Sequence, residues 1–136
     1  MRVFLDTNVL VSAFAARGLC AELVDAVLLG HELVTGRSVL RELDKALREK
    51  VKAPLERRDE ALASILTGAA QIVETADPAE CEASAQDALV LGEAVAGDAE
   101  LFVTGDAGLL RLKSIGSLRI VSPRELWDTL GSENQT

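Results

Sequence analysis

The chain has few of the residues that carry out nucleophilic or zinc-dependent chemistry. Its 136 residues include one histidine, two cysteines and no tyrosine. Cys20 and Cys81 are far apart, with no further cysteine or histidine at metal-ligand spacing, which argues against a zinc site. The cysteines are expected to be small buried apolar side chains. His31 has no plausible triad partners, which argues against a nucleophilic hydrolase.

Long hydrophobic runs are also missing. No apolar run approaches the roughly 18 residues of a membrane helix, and the N-terminus lacks the basic, apolar and small-residue order of a signal peptide. We therefore expect a cytoplasmic protein with no membrane partner. Apolar residues make up 49% of the sequence, which is ample for one core. The prediction is one domain over residues 1–130 and a short polar tail over residues 131–136.

The chain lacks an overall basic charge, since 22 Asp and Glu residues outnumber 14 Lys and Arg residues for a net charge of −8. This excludes the simplest kind of nucleic-acid binder, whose domain is basic overall. The charge is divided between two blocks, however. Residues 37–58 carry eight basic and four acidic side chains, whereas residues 74–106 carry nine acidic and no basic ones. Such asymmetry is typical of one surface for a polyanion and another for cations or a basic partner.

Strand-like runs alternate with helical patterns along the chain. The predicted strands cover residues 2–5, 32–35, 71–73, 101–104 and 119–121. The predicted helices cover residues 19–29, 38–51, 55–66, 84–96, 107–112 and 124–130, with Ser38 as an N-cap and Pro123 at a helix start. This alternation predicts a three-layer α/β/α sandwich with a mostly parallel central sheet. In such a fold, ligands bind beyond the carboxyl ends of the strands.

Two of the predicted strands lead into an acidic residue at that edge. Asp6 follows the first strand, and Asp106 follows the fourth strand after one glycine. Each is also an ordinary position for a helix N-cap, so neither alone indicates a site. Glu42 and Asp44 flank the apolar stripe of the helix over residues 38–51, one on each side. Spacing does not choose between these two, and each is equally suited to a solvated ion pair.

Asp87 lies within an apolar helix face. At about 100° per residue it shares a face with Val90 and Leu91, while Gln86 and Glu93 lie on the opposite side. A carboxylate buried there without a partner is costly or has a raised pKa. Since its own block contains no basic residue, a bound cation is the predicted partner. The alternative is that Asp87 is solvated in the first helical turn.

The order of these motifs resembles the PIN-domain ribonucleases, and among them the bacterial VapC-like toxin components of toxin–antitoxin pairs. The resemblance covers residues 2 to about 130 and is carried by DTNVLVSA at 6–13, SVLREL at 38–43, Asp87, and VTGD at 103–106 followed by two leucines. It implies a catalytic and metal-binding quartet of Asp6, Glu42, Asp87 and Asp106. It also implies that Asn8 and Thr104 orient carboxylates or water. The GDAE sequence at 97–100 is one residue longer than the family pattern, which leaves open whether Asp98 or Glu100 contributes near the site.

A site made of carboxylates alone suits Mg²⁺ or Mn²⁺ rather than zinc. Such ions activate a water and stabilise the leaving oxygen in phosphodiester hydrolysis. The resemblance implies a divalent-metal-dependent endoribonuclease that is the toxin of a toxin–antitoxin pair. RNA would be its substrate, a cognate antitoxin its partner and a homodimer its assembly. The candidates for contacting RNA phosphates are Arg37, Arg41, Lys45 and Arg48, which lie on the same predicted helix as Glu42 or just before it.

Three other interpretations share parts of this pattern. A phosphatase of the haloacid dehalogenase type also begins with a strand-terminal Asp, but it needs a second Asp where this chain has Asn8. A response-regulator receiver needs a phosphorylatable Asp after its middle strand and a Lys after its last strands, and neither follows residues 71–73 or 101–104. The third is a PIN fold that binds a cation or partner without catalysis. Metal titration would separate it from an active nuclease.

Overall fold

The computed structural model describes residues 1–134, which form six strands and seven helices. The strands are β1 (Arg2–Leu5), β2 (Glu32–Gly36), β3 (Ala69–Val73), β4 (Leu101–Val103), β5 (Ser114–Ile115) and β6 (Leu118–Val121). The helices are α1 (Thr7–Ala15), α2 (Leu19–Gly30), α3 (Arg37–Glu49), α4 (Leu55–Gly68), α5 (Ala85–Ala96), α6 (Ala107–Leu110) and α7 (Pro123–Asn134). Within these residues, no helix combines the length and apolarity needed to cross a bilayer.

The strands form one sheet in the order β3-β2-β1-β4-β6-β5. Every neighbouring pair is parallel except β5 and β6, which are antiparallel. Helices connect the parallel strands and flank the sheet, so the predicted three-layer α/β/α sandwich is confirmed. The chain builds outward from β1 to β2 and β3, then returns to add β4 on the other side of β1. This reversal creates a crevice at the carboxyl ends of β1 and β4.

The two central strands, β1 and β4, pair directly and are buried on both faces. The apolar residues of β1 and β4 are at most 5% exposed, as expected for parallel strands that are covered on both faces. Phe4 and Phe102 are register partners whose stacked rings have centroids 5.4 Å apart. An aromatic pair of this kind adds about 0.5–1.5 kcal/mol beyond its buried area. The Asp6 N–H also donates to the Val103 carbonyl at 2.9 Å, so the pairing continues one residue past β1.

Some elements differ from the sequence prediction. Helix α1 is absent from the predicted set, because Val9 and Val11 are β-branched and favour a strand, whereas Asp6 caps a helix there. The two-residue β5 is too short to leave a sequence pattern. Both cysteines are half-buried and free, rather than fully buried as expected.

The predicted ends of two helices also change. The prediction of Ser38 as an N-cap is wrong, since α3 begins at Arg37 and its cap is Gly36, which has no side chain to offer. Helix α7 begins at Pro123 as predicted but continues to Asn134. Residues 131–134 of the predicted polar tail are therefore helical, and residues 135–136 lie outside the described residues.

Candidate active site

Five acidic side chains line one cavity at the carboxyl edge of the sheet: Glu49, at the end of α3, and the four predicted acids, which come from separate segments. The cavity has a volume of about 570 Å³. Its acidic walls include Asp6 after β1, Glu42 on α3, Asp87 on α5 and Asp106 after β4. The fold thus brings the four predicted acids together at the point where the strand order reverses.

Asp6 is the most enclosed of the four, with 8% of its surface exposed. Its Oδ1 accepts a hydrogen bond from the Thr7 N–H at 2.8 Å, which makes it the N-cap of α1. Burial raises the pKa of Asp6 above its ordinary value, and the nearby charges of Asp87 and Glu42 raise it further. Hydrogen bonds from Thr104 and the Thr7 backbone lower this pKa. A cation in the cavity would favour the ionised carboxylate.

Thr104 and Asn8 connect the two strand-terminal acids. The buried Thr104 hydroxyl donates to Asp6 Oδ2 at 2.8 Å and accepts from the Asp106 N–H at 3.1 Å. The Asn8 amide donates to Asp6 Oδ2 at 3.2 Å, while its Oδ1 accepts from the Gly105 N–H at 3.1 Å. These contacts fit the orienting role that the sequence resemblance implies for both residues.

Asp106 is exposed to the cavity and caps α6. Its Oδ1 accepts hydrogen bonds from the Gly108 N–H at 2.7 Å and the Leu109 N–H at 3.2 Å. Its Oδ2 has no hydrogen-bond partner among the described residues. The N-cap interpretation and the active-site interpretation of Asp106 are therefore compatible, because one oxygen caps the helix and the other stays available.

Glu42, rather than Asp44, faces the cavity. Its Oε2 accepts from the Thr7 hydroxyl at 2.9 Å, and its Oε1 accepts from the Gln86 amide at 2.7 Å. Asp44 lies outside the cavity lining and pairs instead with Arg48 at 3.7 Å. The sequence pattern does not predict that Thr7 and Gln86 contact Glu42, because they lie 35 and 44 residues from it along the chain.

Asp87 is in the first turn of α5. Its backbone N–H donates a hydrogen bond to the hydroxyl of Ser84, the N-cap of α5, at 3.1 Å, and its side chain is half-buried. The prediction that Asp87 lies inside a buried apolar stripe is therefore only partly correct. Its carboxylate reaches the cavity rather than the core, close enough for its charge to raise the pKa of Asp6.

Glu93 lies in the interior, which corrects the prediction of the faces of α5. The periodicity put it on the face opposite Asp87, but it is only 2% exposed. Helix α5 packs against β2, β3 and α3 and is crossed by the loop that follows β3, so it is covered on most sides. Burial raises the pKa of Glu93, whereas hydrogen bonds from Ser38 lower it.

Asp98 and Glu100 lie away from the candidate site. They line a different cavity, together with Ile115, at the start of β4. Glu100 Oε1 accepts from the Arg2 N–H at 3.2 Å. Because the start of β4 lies at the amino edge of the parallel sheet, neither acid contributes to the candidate site.

The basic residues are divided between the cavity and the outer surface. Lys45 lines the acidic cavity, and Arg41 and Lys45 line a smaller neighbouring cavity of about 290 Å³. Arg37 forms a bidentate ion pair with Glu74 at 2.6 and 2.9 Å, and Arg48 pairs with Asp44. Lys50, which was not among the predicted contacts, also lines the acidic cavity.

The donor set suits a hydrated divalent cation. In the conformation of residues 1–134, no three acidic, histidine or cysteine side chains already stand at metal-holding distance. The four carboxylates instead surround a cavity with space between them. Mg²⁺ usually keeps several of its waters and is bound through one or two carboxylates, so this spacing and chemistry fit it.

Comparisons with known proteins agree with this architecture. A family model described as a PIN domain matches residues 2–108. The fold is similar to a chain in the crystal structure of VapBC2 from Rickettsia felis bound to a DNA fragment from their promoter. The TM-score is 0.65 at 18% sequence identity, and the match covers 90% of this chain and 98% of that chain. No curated protein matches the chain.

Proposed function

The chain belongs to the PIN domain family, and we propose that it is a divalent-metal-dependent endoribonuclease that hydrolyses RNA phosphodiester bonds. The observation that carries this proposal is the convergence of Asp6, Glu42, Asp87 and Asp106 on one cavity. Without a cation, four carboxylates would repel a phosphodiester. The family assignment removes the receiver and haloacid dehalogenase interpretations.

The carboxylates have distinct roles in this proposal. Asp6 and Asp106 would be the direct ligands of Mg²⁺ or Mn²⁺, and Glu42 and Asp87 would act as further ligands or position the attacking water. A cation held there would lower the pKa of that water and stabilise the leaving oxygen. Thr104 and Asn8 hold the Asp6 carboxylate in place, and the hydrogen bonds on both Glu42 oxygens limit its rotation.

RNA binding in this proposal uses the basic side chains nearest the acids. Lys45 and Lys50 line the same cavity as the carboxylates, and Arg41 lies beside Lys45 in the neighbouring cavity. Their cationic groups would hold phosphates that flank the scissile bond. Arg37 and Arg48 already have acidic partners, so their contribution is smaller.

We further propose that the nuclease is the toxin of a toxin–antitoxin pair, with a cognate antitoxin protein as partner and a homodimer as its assembly. The support is the fold likeness to VapBC2, together with an acidic block at residues 74–106 that would accept a basic partner. An RNA substrate makes the cytoplasm the proposed compartment. Induced expression in bacteria should arrest growth, and expression of Asp6→Asn should not. Equal arrest by both would contradict the toxin proposal.

The nuclease proposal is tested by cleavage of single-stranded RNA in Mg²⁺ or Mn²⁺. Asp6→Asn should lower the cleavage rate by roughly 100-fold or more, since even the loss of a residue that hydrogen-bonds to a metal ligand lowers metal affinity or activity by 10–100-fold. Asp44→Asn is the matched control, because it makes the same chemical change on α3 outside the cavity. A chelator should abolish cleavage by the wild type. Equal cleavage by the wild type and Asp6→Asn would refute the assignment.

A further inference from the structure

Helix α3 begins without a capping side chain of its own. Its N-cap is Gly36, so no local oxygen is available for the free N–H groups of the first turn. Such groups need an acceptor when they are buried. Ser38, in this first turn, is only 3% exposed. The acceptor must therefore come from another part of the fold.

Glu93 of α5 provides it. Its Oε2 accepts a hydrogen bond from the Ser38 N–H at 3.2 Å, and the residue is 2% exposed. Gly36 makes the space for this carboxyl group. A Cβ at Gly36 would lie 2.5 Å from Glu93 Cδ and 2.9 Å from Glu93 Oε2, and would overlap Oε1. The Glu93 carboxyl group therefore occupies this position only because residue 36 is a glycine.

Packing alone does not account for an acid at this position. Glu93 Oε1 is buried and has no hydrogen-bond partner among the described residues. An interior carboxyl group with one unpartnered oxygen is unfavourable compared with an apolar side chain. The contact with the positive end of the α3 dipole compensates for part of this cost.

The same helix contacts α3 at a second point. The Gln86 amide donates to Glu42 Oε1 at 2.7 Å, and Glu42 lies one helical turn, about 6 Å, beyond Ser38. Helix α5 therefore contacts α3 both at the first turn of α3 and at Glu42. Two attachment points restrict rotation as well as translation of α3. Since α5 also carries Asp87, they set the relative position of two acids of the candidate site.

We propose that Glu93 is a positioning residue that caps α3 from α5 and so holds Glu42 in register with Asp87 around the cavity. The proposal rests on the proposed metal-dependent nuclease function. Glu93 touches neither the cavity nor, in this proposal, the RNA, and it acts through the backbone of α3.

The test measures Mn²⁺ affinity of the full chain by electron paramagnetic resonance, with thermal melting of each variant alongside. Glu93→Ala and Gly36→Ala should each weaken Mn²⁺ binding by about 10-fold, the lower end of the effect of residues that orient metal ligands. Gly36→Ala acts by displacing the carboxyl group while Glu93 itself is kept. Glu93→Gln should lie nearer to the wild type, because its amide oxygen still accepts from Ser38.

Leu130→Ala on α7 is the control for general destabilisation. Leu130 is 6% exposed in the core, so its truncation should lower the melting temperature and leave Mn²⁺ affinity unchanged. The proposal is overturned if Glu93→Ala binds Mn²⁺ as tightly as the wild type, or if Leu130→Ala weakens binding as much as Glu93→Ala.

A double variant separates this proposal from the nuclease proposal. Gly36→Ala should lower the melting temperature much less when Glu93 is also alanine, because the added methyl group then fills vacated space. Additive effects of the two substitutions would overturn the capping contact, even in a protein that binds Mn²⁺. A wild type with neither Mn²⁺ binding nor RNA cleavage would refute the nuclease function, whereas the non-additive melting would still report the contact.

Discussion

Replacing Thr104 by valine should destabilise the chain strongly. The Thr104 hydroxyl is fully buried, donates to Asp6 Oδ2 at 2.8 Å and accepts from the Asp106 N–H at 3.1 Å. Valine keeps the shape but removes a hydrogen bond to a carboxylate and leaves the Asp106 N–H without its acceptor. Together these losses predict a fall in the free energy of unfolding of about 2–4 kcal/mol. For a chain of this size that is a drop of roughly 7–14 °C in melting temperature.

The assay is urea denaturation of both proteins without metal. Thr35→Val is a matched control, because Thr35 is 1% exposed at the end of β2 and its hydroxyl has no hydrogen-bond partner among the described residues. The control should be neutral or stabilising, since it removes an unsatisfied buried polar group. Equal stability changes in Thr104→Val and Thr35→Val would refute the reasoning that the Thr104 network holds the two strand ends together.

Three further predictions concern charge and packing. Because burial raises the pKa of Glu93 above its ordinary 4.5, the folded chain binds its proton more tightly than the unfolded chain. The free energy of unfolding of the wild type should therefore fall relative to that of Glu93→Gln as pH rises above 4.5, and the two values should converge at lower pH. If the free energies of unfolding in urea instead differ by the same amount at every pH, this reasoning is contradicted. Lys45→Ala should raise the KM for RNA and reduce the salt dependence of this KM, because Lys45 lines the acidic cavity. Arg37→Ala should do neither, because Arg37 is already paired with Glu74. Equal effects of the two substitutions would contradict the proposed contact of Lys45 with RNA phosphates. Gly92→Ala should lower the free energy of unfolding in urea by about 1–3 kcal/mol, because its Cβ would overlap a backbone carbonyl of the β3–α5 loop. Gly131→Ala should not destabilise the chain, since no described atom apart from its neighbours along the helix lies within 4 Å of the added Cβ. Similar values for the two variants would contradict the close approach at Gly92.

The features that could be predicted from sequence are those set by local rules. Asp6 and Asp106 directly follow or nearly follow buried strands, and parallel strands bring their carboxyl ends to one edge. The same rule predicted that the site lies at this edge. Choosing Glu42 over Asp44 required the family resemblance, because the two acids have equivalent positions beside the apolar stripe. The structure gives the physical difference, since Asp44 pairs with Arg48 outside the cavity.

The features that were missed depend on contacts between distant segments. Helical periodicity predicts that Glu93 lies on the face opposite Asp87, because it assumes one buried side, whereas α5 is covered on most of its surface. Thr7 and Gln86 touch Glu42 only because α1, α3 and α5 converge there. The space at Gly36 for the Glu93 carboxyl is equally invisible in the sequence.

The most direct test of the central claim is the binding of Mn²⁺ to the metal-free protein, followed through the resonance signal of the free ion. The wild type should bind Mn²⁺ saturably, and Asp106→Asn should weaken that binding by at least about 10-fold. Asp44→Asn should bind as the wild type does, because Asp44 lies outside the cavity. No saturable binding, or equal binding by all three proteins, would contradict a metal site built by these carboxylates.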